Sequence, residues 1–180
     1  MDFSISQKLQ EATAWLEKEF SGIRTGQASP ALLDGVKVES YGAYMPIPQV
    51  SSVGIEDART LRISAWDASV IPAIEKAIRD ADLGVSLATD SSGVRVIFPE
   101  LTGERRTQLV KIAKTKLEEA RVTVRGIRDE VMKQIETAQK NGDISEDEKY
   151  ANKESVQKQI DATNHTLESL FAKKEAEISR

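Results

Sequence analysis

The sequence predicts an α+β fold: an antiparallel three-helix bundle interrupted by a small β/α/β domain. Three observations carry this. Apolar residues recur at gaps of three and four near the N-terminus and again from Glu104 to the end. Between them lie short β-rich runs separated by turn residues. And no helix with so narrow an apolar stripe buries it alone, so the helical stripes must face one another.

Residues 4–26 read as the first helix, with Ile5, Leu9, Ala12, Leu16, Phe20 and Ile23 on one face. Ser4 and Gln7 have capping-box spacing at its start. Thr25 to Pro30 breaks it. Strands are expected at 36–39, 50–53, 60–63 and 94–98, and one helix at 70–83. Asp67 or Ser69 caps that helix, Pro72 sits in its first turn, and Gly84 follows its end. Tyr41 to Pro48 reads as a rigid, hairpin-like tip, equally explained as a turn or as a partner surface.

From Glu104 the helical period returns. Leu109, Ala113, Leu117, Ala120, Val124, Ile127, Val131, Ile135 and Ala138 form one stripe on a helix ~55 Å long. Lys140 to Asp143 turns the chain, Ser145 and Glu148 form a second capping box, and a third helix runs to the end. The bundle therefore takes residues 1–27 and 103–180, and the inserted domain 30–101. The linkers 27–30 and 101–103 run side by side as a hinge. Gly26, Gln27, Ser29, Pro30, Leu101, Thr102 and Gly103 form that hinge; simple punctuation of structure accounts for these residues as well.

Composition narrows the function. The 180 residues carry 25 Lys and Arg against 29 Asp and Glu, with one histidine and no cysteine. Disulfides, thiolate metal sites, cysteine nucleophiles and a histidine cage are excluded. No run of 18 apolar residues spans a membrane, and the N-terminus lacks signal-peptide regions. No phosphate-binding loop, dinucleotide fingerprint or hydrolase elbow is present. These absences fit a cytoplasmic protein with no cofactor and no catalytic residues.

One segment stands against the acidic whole. Residues 105–128 hold eight basic and two acidic residues, net +6, whereas residues 143–180 hold nine acidic and six basic, net −3. Arg121, Arg125 and Arg128 are spaced i, i+4, i+7 and share one helical face. Lys111 and Lys114 fall near the same angle, and Arg106 not far off. A solvated, salt-bridged face is the ordinary account of such a stripe. Against it stand five cations in one row, three of them arginines suited to bidentate phosphate contact, with only Glu118 among them. No aromatic lies beside the row, which favours structured RNA held by its backbone over single-stranded bases. Trp15 and Trp66 are expected to pack, and His165 to be exposed. Asp80, Asp82 and the cluster 143–147 lack calcium-loop spacing.

Six groups of short segments span nearly the whole chain: Ile23-Arg24-Thr25-Gly26 with Ala28-Ser29-Pro30, Leu32-Leu33-Asp34-Gly35, Asp80-Ala81-Asp82-Leu83-Gly84, Leu101-Thr102 with Glu104-Arg105-Arg106, Ala120-Arg121-Val122 with Val124-Arg125 and Arg128, and Ile144-Ser145-Glu146-Asp147. In these, and in their order, lies a resemblance to the ribosome recycling factors. It implies an L-shaped, monomeric, non-enzymatic factor of about tRNA size with a hinged second domain. It implies binding to the large ribosomal subunit after termination, and subunit splitting driven by elongation factor G with GTP. The family's ribosome-contacting arginines correspond to Arg106, Arg125 and Arg128. Arg24, which matches an arginine near the hinge, is expected to join them and Lys111, Lys114 and Arg121 in binding the ribosome. The family usually carries arginine where this chain has Gln27, so one charge at the elbow is absent. A helical scaffold and a nucleic-acid enzyme are the rival classes. The first would not need RNA; the second would need a carboxylate cluster, which the sequence does not offer.

Overall fold

A computed structural model describes residue 3 and residues 5–179. The chain forms two compact units. One comprises residues up to Phe20 together with Val110–Ala176; the other comprises Ser21–Leu109 together with residues from Glu177.

The first unit is helical: it holds most of α1 (Ser6–Ser21), α4 (Gly103–Lys140) from Val110 to its end, and α5 (Glu146–Ser179) from its start to Ala176. Four ion pairs fix the directions. Lys8 Nζ meets Glu130 Oε2 at 2.9 Å and Lys116 Nζ meets Glu19 Oε2 at 3.2 Å, so α1 and α4 run antiparallel. Lys153 Nζ meets Glu136 Oε1 at 2.8 Å and Arg121 reaches Glu168, so α4 and α5 do too. Leu9, Leu16 and Phe20 of α1 are buried, as are Leu117, Val124 and Ile135 of α4 and Val156, Ile160 and Leu167 of α5. Each such side chain contributes about 1.5–3 kcal/mol by leaving water. This is the antiparallel bundle that the stripes predict.

The helix ends have local causes. Gly142, at φ +80°, lets the chain reverse after α4. Its N–H bonds Gln139 O at 3.1 Å and the Asp143 N–H bonds Ala138 O at 2.9 Å, the paired closure of a left-handed cap. The Ser145–Glu148 box forms as read: Ser145 N donates to Glu148 Oε2 at 2.7 Å and Glu148 N to Ser145 Oγ at 3.2 Å. The first helix stops at Ser21 and does not reach residue 26. Ile23 is buried all the same, so its apolar character extended the period past the true end. Ser4, the other proposed cap, lies outside the described residues.

The second unit is α+β. Strands β1 (Lys37–Ser40) and β2 (Ala43–Pro46) form a hairpin whose turn residues, Tyr41 and Gly42, both take positive φ. A single helical turn, α2 (Ile47–Val50), leads into a four-stranded antiparallel sheet of order β3-β4-β6-β5. Its strands are β3 (Ser51–Asp57), β4 (Thr60–Ala65), β5 (Ser86–Asp90) and β6 (Gly93–Ile97). One sheet face carries Leu61, Ile63, Val94 and Val96, which are buried together with Ile71, Ile74 and Ile78 of α3 (Ile71–Asp80). Gly93 is obligatory, because a Cβ there would lie 1.8 Å from Ile63 O. β2 and β5 were not anticipated as strands. Trp15 and Trp66, expected to pack, are 37% and 68% exposed.

Candidate nucleic-acid interface

The cationic stripe occupies one side of α4, but its members do not share one environment. Arg106, Arg121 and Arg128 are half-buried and lie next to the apolar stripe. Lys111, Lys114 and Arg125 sit further round and are exposed. The 3.6-residue period imposes the split, since positions 106, 121 and 128 fall 20–80° from the buried centre and 111, 114 and 125 about 100–160° from it.

The inner row is fully engaged. Arg121 NH1 donates to Glu118 at 2.6 Å, and its NH2 donates to Glu168 of α5 at 2.7 Å. The Glu118 carboxylate, then Glu168, holds the guanidinium pKa above its ordinary value. Arg128 Nε donates to the neutral Gln157 amide oxygen at 2.9 Å, and NH1 to Asp129 at 3.2 Å. Arg106 donates to two carbonyl oxygens, Ser179 O at 2.6 Å and Leu101 O at 3.4 Å. The outer row differs: the side chains of Lys111, Lys114 and Arg125 form no hydrogen bond or ion pair among the described residues. Their charges are therefore available to a ligand without first breaking a contact.

Arg24 is placed elsewhere. Its NH2 donates to Pro99 O, its guanidinium stacks 5.4 Å from the Phe98 ring, and its Nε is buried without a partner. Burial, then the charge of Arg105, pulls its pKa below the ordinary value. The expected hinge residues are well bonded. Thr25 Oγ1 donates to Gln27 O at 3.1 Å, and Ala28 N donates to Ala58 O at 2.7 Å. Ser29 Oγ caps a short 3-10 turn begun by Pro30, and Thr102 Oγ1 accepts from Arg105 N at the head of α4. Leu101 is buried and Gly103 exposed. The N–H of Gly26 donates to Glu177 O at 3.5 Å.

No described group of three or more His, Cys, Asp or Glu side chains is arranged to hold a metal. No helix among the described residues is long and apolar enough to cross a membrane. Sequence reasoning missed the partners of the inner row. The signal was there: Gln157, Asp161, Asn164 and Glu168 recur at i, i+4, i+7, i+11 along α5, one polar row beside its apolar one.

The family profile of ribosome recycling factor matches residues 16–178. The chain belongs to the ribosome recycling factor family. It is 39% identical over 176 residues to the ribosome-recycling factor of Gluconacetobacter diazotrophicus, covering 98% of this chain and 94% of that one. It is 43% identical over 172 residues to that of Caldicellulosiruptor saccharolyticus, covering 96% and 94%. Among solved structures, a solution structure of the ribosome recycling factor superposes with a TM-score of 0.76 at 37% identity, covering 96% of this chain and 92% of that one. A second match, at TM-score 0.67 and 40% identity, covers 96% and 93%. It comes from models for the T. thermophilus ribosome recycling factor and the E. coli elongation factor G bound to the E. coli post-termination complex. As a ribosome recycling factor, the chain serves protein biosynthesis at the recycling of ribosomes.

Proposed function

We propose that this recycling factor binds the large ribosomal subunit after termination through the α4 cations. With elongation factor G and GTP it then splits the complex into subunits, helping to release mRNA and tRNA. The observation that carries the reading is the outer row: Lys111, Lys114 and Arg125, exposed and uncommitted on a helix of an otherwise acidic chain. Phosphate is the ligand such a row suits, and folded RNA presents it at fixed spacing. Arg128 and Arg106 border this row, and Arg121 joins it once freed of its carboxylates. The neighbouring complex supports the choice of partners, because it holds a recycling factor and elongation factor G on one ribosome.

The chain acts without catalysis of its own; GTP hydrolysis takes place on elongation factor G. Residues 1–27 with 103–180 form the RNA-binding bundle, residues 30–101 a lever, and the linkers 27–30 and 101–103 the hinge through which a push is passed on. Arg24, expected among the ribosome contacts, also supports the hinge region. That assignment rests on its backbone bond and its stacking on Phe98. The protein works in the cytoplasm as a monomer.

The test is breakdown of purified polysomes by elongation factor G and GTP, with and without this chain. Conversion of polysomes to subunits only when the chain is present is expected; no dependence on the chain sinks the proposal. In the same reactions Gly103→Ala, whose new methyl group meets no atom, should bind normally and slow breakdown. Unaltered turnover in that variant counts against the hinge.

A further inference from the structure

Arg121 is the most strongly restrained cation of the row. Two carboxylates, Glu118 at 2.6 Å and Glu168 at 2.7 Å, occupy its two terminal nitrogens. Two negative charges around one guanidinium leave that spot net anionic, so an approaching phosphate is repelled until a carboxylate moves aside. Its neighbour Arg128, two turns along the same helix, is treated differently. The group that reaches it from α5 is the amide of Gln157, which orients the guanidinium without cancelling its charge. Gln157 and Glu168 lie three turns apart on one face of α5, so the two pairs form an internal comparison: an arginine of α4 met from α5 by a neutral acceptor in one case and a charged one in the other.

We infer that Glu168 is a built-in counter-ligand: it competes with RNA phosphate for Arg121 and so weakens ribosome binding and hastens departure. This rests on the reading of α4 as the RNA face. The Arg121–Glu168 pair suits such a role because it is half-exposed, with 30% and 57% of the two side chains accessible. Exposed ion pairs are weak, so phosphate can displace it at small cost. A buried pair would be a permanent part of the fold. Competition is separable from positioning: Glu118 already orients the guanidinium from its own helix, and replacing Glu168 by glutamine keeps a hydrogen-bond acceptor on α5 while removing the opposing charge.

The experiment is equilibrium binding of the full chain to purified large ribosomal subunits across a range of salt, with dissociation rates. Glu168→Gln should bind roughly two- to fivefold tighter, the scale of one half-exposed ion pair. It should leave more slowly and steepen the log–log salt slope by about 0.7–0.9. All three gains should vanish when Arg121→Ala is also present. Glu154→Gln, which removes the same charge from a residue paired with Lys158 on its own helix, should bind as the unaltered chain does. Unchanged or weaker binding by Glu168→Gln, or a gain that survives without Arg121, overturns the inference. The reading beneath it is judged separately. If Arg125→Ala and Arg128→Ala bind normally, the RNA face itself is wrong. If they weaken binding while Glu168→Gln does not tighten it, only the counter-ligand fails.

Discussion

Arg121 and Arg125 lie one turn apart on the same helix, yet one is clamped by two carboxylates and the other, among the described residues, makes no side-chain hydrogen bond or ion pair. A rotation of 40° about the helix axis separates the two conditions. The cationic stripe was legible in the sequence as a set of residues sharing a face. Its division into inner and outer rows was not, because that depends on which side chains α5 brings within reach. Arg24 shows the same limit: in the sequence it is one more cation, and in the fold it bonds a carbonyl and stacks on Phe98. The residue-level prediction follows from solvent access. Arg125→Ala removes an uncommitted charge, so thermal stability should stay within error while affinity for large subunits falls by about 1.5–3 kcal/mol, the worth of a hydrogen bond to a charged group. Calorimetric melting and subunit binding check both halves; a lowered melting temperature with intact affinity would reverse the assignment.

At the scale of elements, the long helices were legible because a repeated apolar period survives small errors at either end. Edge strands were not. β5 (Ser86–Asp90) places only the partly buried Leu87 with the core, and β2 (Ala43–Pro46) is bracketed by Gly42 and prolines that read as a turn. What holds the sheet's outer face was also invisible. Arg62 and Arg95 stand directly opposite each other on β4 and β6, a like-charge pair that would repel on its own. Asp90 of β5 resolves it, accepting from Arg62 at 2.7 and 2.8 Å and from Arg95 at 3.4 Å, while Glu56 of β3 takes Arg95 at 2.8 Å. The Arg62 hydrogen bond foremost, then those from the Ser92 N–H and hydroxyl, hold the Asp90 carboxyl well below the usual carboxylate range. A depressed folded pKa means that the unfolded chain takes up the proton first as pH falls. The contribution of Asp90 is therefore complete above the ordinary carboxylate range and is lost progressively below it. Asp90→Asn should lower the melting temperature at neutral pH and flatten its fall between about pH 5 and pH 2. Parallel curves for the two chains across that interval would show that the network carries no pH-dependent stability.

At the scale of the whole molecule, net charge is misleading. The chain is acidic overall, at −4, and this alone argues against a nucleic-acid partner. The argument reverses once charge is resolved by helix, because the basic segment and the acidic segment occupy different elements and only part of the basic one is neutralised by the other. Membership of the ribosome recycling factor family accords with that local reading. The central claim is that the uncommitted α4 cations grip ribosomal RNA through phosphate. The most direct measurement is the salt dependence of binding to purified large subunits, comparing the chain with a variant carrying Lys111→Gln, Lys114→Gln and Arg125→Gln together. Five phosphate contacts give the unaltered chain a log–log slope of roughly −3.5 to −4.5, and loss of three should make the variant's slope shallower by about 2–3. Identical slopes for the two chains would contradict the account.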